Sequence, residues 1–385
     1  MNRLVIIGNG FDLAHGLNTS YKDFIDWYWE QRVSELKLLE TTISEDILCR
    51  FELVQGYRMW FIYAQNHRFF RDDSIHDLDA NAVLSMLDND DSCIVERSLL
   101  LDRITKNIEN KGWTDIESDY YELLKKHTND IEKCQNLNNQ LDFTREKLAE
   151  YLGSIEQPQA IDAIKLVLNE PVFIDDVSTI EINRGNEGLK STQEEEFIVM
   201  DKNTDPTYDF VEQTMLLSFN YTPTAEMYLD ETTHINYIHG SLDKPKEMIF
   251  GYGDEMDKDF QALIDRNENA LLENSKSIKY LETSHYRKLL EFIEGGQFQV
   301  YIMGHSCGNS DRTLLNTIFE HQNCISIKPF CYINENNEDN YSELTRNIYR
   351  NFTDKKLFRD RVVNKERCTT IDGQPLVGKE QLASQ

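Results

Sequence analysis

The chain has 385 residues, 40% of them hydrophobic, which suffices for one large α/β core and an additional helical region. Its 68 acidic and 40 basic residues give a formal net charge of −28, which disfavours direct nucleic-acid binding. No apolar stretch is long enough to cross a bilayer, and no leader precedes the first apolar run. The seven cysteines follow no disulfide framework. We therefore expect a cytoplasmic protein with free thiols and no membrane partner.

The first apolar run ends in a glycine-rich turn, RLVIIGNGFD (3–12). This pattern predicts a buried strand followed by a phosphate-binding loop. Gly8 and Gly10 would supply positive φ or close backbone approach, so that successive N–H groups hold a pyrophosphate. Leu13 stands where a third glycine would complete the dinucleotide fingerprint, so a plain turn without a ligand stays open. The next helix is expected to begin near Ser20.

Two further apolar runs end in polar residues suited to catalysis. SFNYT (218–222) and YIHGSLD (237–243) each close a short run typical of a buried strand. Because ligands bind at the carboxyl ends of strands in open α/β sheets, we predict that Asn220 and His239 meet at one site. An amide beside an imidazole suits positioning and proton transfer. A turn-forming Asn and a structural His are the alternatives for each residue taken alone.

A third glycine-bearing strand end is FQVYIMGHSCGNSD (298–311). We expect a strand that runs into Gly304 and Ser306, followed by a helix capped by Ser310 or Asp311. The inward face of that helix would carry Leu314, Leu315, Ile318 and Phe319. Ser306 and Asp311 would then be free to meet ribose hydroxyls, although a capped turn without ligand remains the alternative.

The middle of the chain is helical, charged and poor in glycine. Helices are expected over Val54 to Phe70, Ser98 to Ile108 and Leu137 to Leu152. WTDIESDYYELL (113–124) is expected to begin a helix. The segment either is a plain helix start with Trp113 packed beneath it or contributes side chains to the cleft. The first interpretation is favoured, and this segment is left out of the predicted catalytic set.

GNGFDLAHGLNTSYKDF resembles the opening of the AbiH family of bacterial abortive-infection proteins, and WTDIESDYYELL resembles another segment of that family. The four glycine or strand-end motifs are similar, in the same order, to those that surround NAD in sirtuin-like proteins. By position, the resemblance implies that Asn220 and His239 are catalytic. It also implies NAD contacts at Gly8, Gly10 and Phe11 in the first loop and at Gly304 and Ser306 in the last turn. From their places in the same motifs, we further expect Asn9, Asp12, Thr222 and Asp311 to contribute to the cofactor-binding site.

Two departures from the sirtuin-like pattern affect the predicted chemistry. Thr222 stands where the Asp that holds the nicotinamide carboxamide is usual, and Asp12 is the carboxylate that would replace it from the opposite loop. No C-x-x-C pair exists for a zinc ribbon, so protein deacylation is disfavoured and no metal is expected. What the resemblance then implies is hydrolysis of the nicotinamide N-glycosidic bond, with NAD as substrate.

The predicted fold is α/β, with a Rossmann-like, doubly wound, mostly parallel and sirtuin-like sheet. Residues 1–40 and 205–350 form the nucleotide-binding core, 41–204 a helical insertion, and 351–385 a C-terminal extension. The expected function is an antiphage effector that depletes NAD, acting as a homo-oligomer or with a partner defence protein, under a phage-derived trigger. The alternatives are a non-catalytic sensor of NAD or ADP-ribose and, third, a metal-dependent nuclease, which the acidic composition argues against.

Overall fold

The computed structural model describes residues 1–38, 43–53, 93–111, 115–182 and 207–376. The strands in chain order are β1 Asn2–Ile7, β2 Ile43–Glu45, β3 Cys49–Leu53, β4 Cys93–Arg97, β5 Val172–Phe173, β6 Thr207–Asp209, β7 Gln213–Ser218, β8 Thr233–Tyr237, β9 Phe298–Met303 and β10 Cys324–Phe330. The helices are α1 Asn9–Ala14, α2 Tyr21–Leu38, α3 Leu99–Lys111, α4 Ile116–Lys126, α5 Ile131–Gly153, α6 Asp162–Leu168, α7 Lys258–Asp265, α8 Lys276–Lys279, α9 His285–Glu294, α10 Arg312–Phe319, α11 Tyr341–Asn351 and α12 Lys355–Arg361.

The main sheet has five parallel strands in the order β10-β9-β1-β7-β8. The central strand β1 pairs with β7 on one side and β9 on the other, so that Val5 stands opposite both Leu216 and Tyr301. Its five residues from Arg3 to Ile7 are all buried, as expected for a parallel strand covered on both faces. The sequence prediction of an α/β fold with a parallel sheet is therefore confirmed.

The strand order reverses beside β1. The chain adds β7 and β8 on one side of β1 and then returns to add β9 and β10 on the other. In open α/β sheets, such a reversal leaves a crevice at the carboxyl ends of the strands, where ligands bind. The loops after β1, β7, β8 and β9 all open onto this end, and they carry the polar residues that the sequence singled out.

Hydrophobic clusters cover both faces of the sheet, and another joins the helices to it. One face packs Leu4, Ile6 and Leu217 against α9 to α11, and the other packs Val5 and Ile7 against α6. The helices α2 to α5 share a core with Tyr221, Met248, Phe250 and Leu271. Residues from the helical part and from the segment after β7 therefore form one continuous core beside the crevice.

The predicted helices are present wherever they fall on described residues. Ser98 to Ile108 corresponds to α3, and Leu137 to Leu152 lies within α5. Val54 to Phe70 and Trp113 lie outside the described residues. The antiparallel sheet β2-β3-β4 was not anticipated. Among the described helices, none combines the length and the apolarity that crossing a membrane requires.

The region after β1 contains two helices where the sequence predicted one. The short α1, which starts at Asn9 directly after Gly8, was not predicted. The helix expected near Ser20 is α2. Its first turn is closed by a reciprocal capping box, in which Ser20 N donates to Asp23 Oδ2 at 3.0 Å and Asp23 N donates to Ser20 Oγ at 3.1 Å.

Candidate active site

A cavity of about 410 Å³ opens at the carboxyl ends of β1, β7, β8 and β9. Its volume lies within the range of small-molecule sites. The loop after β1, the start of α2, the first turn of α4 and the loop before α10 form its wall. The residues that line it are Gly8, Asn9, Gly10, Asp12, Thr19, Ser20, Tyr21, Asp115, Glu117, Leu148, Leu152, Phe219, Asn220, Tyr221, Thr222, His239, Gly304, His305, Ser306, Ser310 and Asp311.

The glycines of the first and last strand ends hold two loops against each other. A Cβ on Gly8 would lie 2.6 Å from His305 Cα, and one on Gly304 would lie 2.0 Å from Phe11 N. Gly8 N–H donates to Met303 O at 3.2 Å, and Gly10 N–H donates to Gly304 O at 2.8 Å. The close backbone approach predicted at Gly8 and Gly10 is therefore to protein backbone.

This arrangement corrects the expected phosphate cradle. Gly8 has φ −128°, Gly10 lies within α1, and only Gly304 among these three glycines has a positive φ, +75°. The N–H groups of Gly8 and Gly10 already have carbonyl partners, so they are not available to hold a pyrophosphate. The glycines are needed because side chains there would force the two loops apart.

One side of the cavity is built around Asn220, Thr222 and Asp12. Asn220 Nδ2 donates to Gly8 O at 3.0 Å, which ties the end of β7 to the end of β1. Thr222 Oγ1 donates to Asp12 Oδ2 at 2.5 Å. Asp12 Oδ1 is buried without a hydrogen-bond partner among the described residues. Burial raises the pKa of Asp12, and the Thr222 hydroxyl opposes that rise.

The opposite side of the cavity centres on His239. The imidazole is 4% exposed, and its Nε2 lies 3.2 Å from Asp311 Oδ1 and 3.2 Å from the Tyr280 hydroxyl. Burial, together with the positive charge of Lys276, lowers the pKa of His239 to about 4, so the ring is neutral at neutral pH. Because an ionised carboxylate accepts only, the proton lies on Nε2. Nδ1, which makes no hydrogen bond within the described part of the chain, then carries a free lone pair.

His305 gives Asp311 a second imidazole contact. Cys307 N–H donates to His305 Nδ1 at 3.0 Å, which leaves the ring proton on Nε2, 3.6 Å from Asp311 Oδ2. The ring of Phe219 contacts both imidazoles, with its centroid 5.0 Å from that of His239 and 4.3 Å from that of His305. Asp311 therefore faces both histidines, and one aromatic ring packs against both imidazoles.

A buried lysine completes this charged group. Lys276 Nζ donates to Asp311 Oδ1 at 2.8 Å and to Glu117 Oε2 at 2.9 Å, and Gly251 N–H donates to Glu117 Oε1 at 3.0 Å. Burial alone would raise the pKa of Asp311, but Lys276 and His239 hold it well below its usual value. Burial raises the pKa of Glu117 to about 7, against the opposing charge of Lys276.

Most of the predicted site residues line one cavity, but Phe11 and Asp311 do not have the roles that were predicted for them. Asn220 and His239 both line the cavity, as the strand ends predicted. Phe11 does not line it, because its ring is buried against His15 and Tyr228. Asp311 is not free to meet a ribose, since its carboxylate already contacts Lys276 and both histidines. Ser306 is exposed at the cavity rim.

Three residues of this group were missed from the sequence. Glu117 was left out as part of a helix start; Asp115 does cap α4 by accepting from Ser118 N, yet both acids line the cavity. Acidic residues two apart at a helix start were the available signal. His305 follows a glycine at a strand end, just as other site residues do. Lys276 had no signal in its sequence surroundings.

A second cavity of about 790 Å³ adjoins the first. The two share Gly10, Gly304, His305 and Ser306, so the paired loops form a wall between them. The second cavity extends over the end of β10 and includes apolar side chains such as Phe330, Ile333 and Ile371. Ser306 lies where the two cavities meet.

Comparison with known proteins places the chain in one family. The model of "Bacteriophage abortive infection AbiH" matches residues 4–332, which include all of the main sheet except the first two residues of β1, and the whole cavity wall. No curated protein and no solved structure gave a match. Membership implies a role in abortive infection during phage attack. The chain therefore belongs to the AbiH family of bacteriophage abortive-infection proteins.

Proposed function

We propose that the protein is an abortive-infection effector that hydrolyses the nicotinamide N-glycosidic bond of NAD. The observation that carries this proposal is the neutral His239, held at 3.2 Å by the ionised Asp311 in a cavity wall that also contains Asn220. A carboxylate that fixes an imidazole tautomer, beside an amide able to orient a ligand, suits proton abstraction from a hydroxyl or a water.

The sheet supports a Rossmann-like, doubly wound interpretation. Numbered by their order in the chain, its strands lie in the spatial order 3-2-1-4-5, which matches the first five strands of dinucleotide-binding folds. The cavity lies at the switch point between β1 and β9, where such folds bind their ligand. The sirtuin-like relationship remains part of this proposal.

Hydrolysis of the N-glycosidic bond requires a general base and an oriented ribose and water, rather than a strong acid. Nicotinamide is cationic in NAD, so it leaves without protonation, and the ribose develops oxocarbenium-like charge. His239 Nδ1 would accept a proton from a ribose hydroxyl or from the attacking water, while Asn220 orients the ribose and the water. General base assistance of this kind accelerates a reaction by about 100- to 10,000-fold.

The Asp12–Thr222 pair would anchor the leaving group. The Thr222 hydroxyl, 2.5 Å from Asp12 Oδ2, brings a carboxylate next to the position where sirtuin-like proteins carry one. Asp12 Oδ1, which has no hydrogen-bond partner within the described parts of the chain, can accept a hydrogen bond from a carboxamide NH2. Since Gly8 and Gly10 N–H groups are engaged, we assign the diphosphate to the rim near Ser306, with the rest of the nucleotide in the second cavity.

The alternative function is a nucleotide sensor that binds NAD or ADP-ribose without cleaving it. Thr222 in place of a carboxylate favours it, because a weaker hold on nicotinamide would slow turnover while ribose contacts remain. In either case we propose that activity is held back until infection, through an oligomer or a partner protein that binds the helical region.

An experiment in infected cells distinguishes NAD hydrolysis from nucleotide sensing. Host NAD would be followed after phage addition in cells that carry the wild type, Asn220→Ala or His239→Ala. We expect NAD to fall with the wild type only, and protection from phage to be lost with both variants. Protection without NAD loss, accompanied by NAD or ADP-ribose binding to the purified protein, would favour the sensor. Protection with neither NAD loss nor nucleotide binding would remove both.

A further inference from the structure

Lys276 is a fully buried ammonium group behind the cavity wall. It is 0% exposed and does not line the cavity, whereas both of its carboxylate partners, Glu117 and Asp311, do. Removing an ammonium from water is strongly unfavourable, and only close pairing with carboxylates offsets that cost. Two short contacts, 2.9 Å and 2.8 Å, supply that pairing here. The lysine therefore links the first turn of α4 to the residue before α10.

Asp311 contacts both Lys276 and His239. The same oxygen, Oδ1, accepts from Lys276 Nζ at 2.8 Å and lies 3.2 Å from His239 Nε2. The N-cap position of α10 places Asp311, but its side chain caps no backbone N–H. Its carboxylate is thus oriented by Lys276 and the histidines rather than by the helix.

We infer that Lys276 is a positioning residue for the proposed reaction: held in place by Glu117, it keeps Asp311 ionised and oriented, so that Asp311 holds His239 in the tautomer with a free Nδ1. The inference rests on the proposed function for its catalytic consequence. The tautomer and the protonation of His239 are measurable without any substrate.

The charges around His239 set the sign of the expected effect. Asp311, His305, Lys276 and the Tyr280 hydroxyl face the imidazole, and Glu117 acts through Lys276. Burial and Lys276 lower the pKa of His239, while Asp311 raises it. Removing the lysine charge should therefore raise that pKa, by on the order of one unit, as for the loss of a neighbouring charge.

The direct test is nitrogen NMR of histidine-labelled full-length protein, with His239→Ala used to assign the signal. In the wild type we expect a single tautomer, protonated on Nε2, and a depressed pKa. Lys276→Met should raise the pKa. The matched control is Lys328→Met, which removes another buried lysine, 3.0 Å from Asp176 and in the wall of neither cavity. Folded Lys276→Met with the wild-type pKa and tautomer would overturn the inference.

A second variant covers the case in which Lys276→Met does not fold. Asp311→Asn keeps the shape of the side chain, but its amide both donates and accepts, so His239 should change from one tautomer to a mixture of both. A single unchanged tautomer in Asp311→Asn would equally overturn the inference.

The activity measurement separates this inference from the proposed function. If the wild type cleaves NAD, Lys276→Met should lower kcat by about tenfold or more with little change in KM, because the loss falls on proton transfer. Unchanged kcat in the folded variant would contradict the positioning role. If the wild type never cleaves NAD while the NMR result holds, the proposed function fails and the charge arrangement stands.

Discussion

Gly304→Ala tests whether the two glycine loops depend on direct backbone contact. Gly304 has φ +75°, and an added Cβ would lie 2.0 Å from Phe11 N and 2.5 Å from Gly10 C. The left-handed backbone costs an alanine about 1–2 kcal/mol, and overpacking adds about 1–3 kcal/mol. Because the clash is with backbone, neither loop can relieve it by rotating a side chain. We expect unfolding free energy to fall by about 2–5 kcal/mol in total.

Gly16→Ala is the matched control for this prediction. Gly16 has nearly the same φ, +78°, but nothing lies within 4 Å of its added Cβ. It should cost only the backbone strain, about 1–2 kcal/mol. Urea unfolding of the wild type and both variants gives the comparison. Equal losses of stability in Gly304→Ala and Gly16→Ala would contradict the claim that close packing of the two loops requires a glycine at position 304.

Two further predictions concern buried acids in the cavity wall. Burial raises the pKa of Glu117 to about 7 from an ordinary 4.5, so the folded state holds this proton more tightly and the acid's contribution to stability is lost as pH rises between these values. The urea midpoint of Glu117→Gln should therefore rise relative to that of the wild type between pH 5 and pH 8. A difference between the two midpoints that does not change with pH would contradict the raised pKa. Burial also raises the pKa of Asp12, so Asp12→Asn should be relatively more stable at pH 8 than at pH 3 while losing NAD turnover. Full turnover in a folded Asp12→Asn would remove the carboxylate from nicotinamide recognition.

The strand ends were predictable because short-range patterns specify them. The apolar runs that end before Asn220, His239 and Gly304 predicted strands, and parallel pairing brings their carboxyl ends to one edge. The strands before Asn220 and Gly304 are buried as expected, whereas β8 lies at the edge of the sheet and is only partly buried. The inward face of α10 followed equally from helical spacing, and Leu314 and Ile318 are buried as expected.

The charged group behind the cavity was not predictable, because its contacts are long-range. Glu117 and Lys276 lie 159 residues apart, and no local pattern relates them. The glycine turn failed for another reason. A sequence shows that Gly8 allows a close approach, but not whether a phosphate or a backbone atom makes it; here His305 does. Asp311 was given a free carboxylate because its buried lysine partner could not be foreseen.

The measurement that tests the central claim most directly is nicotinamide release from NAD by purified protein, with and without phage lysate. The wild type would be compared with Asn220→Ala, His239→Ala and the distant Lys328→Met. We predict release by the wild type and by Lys328→Met, and its loss in the two site variants. Release that persists in folded His239→Ala, or NAD that stays intact with the wild type under both conditions, would contradict cleavage of NAD at this site.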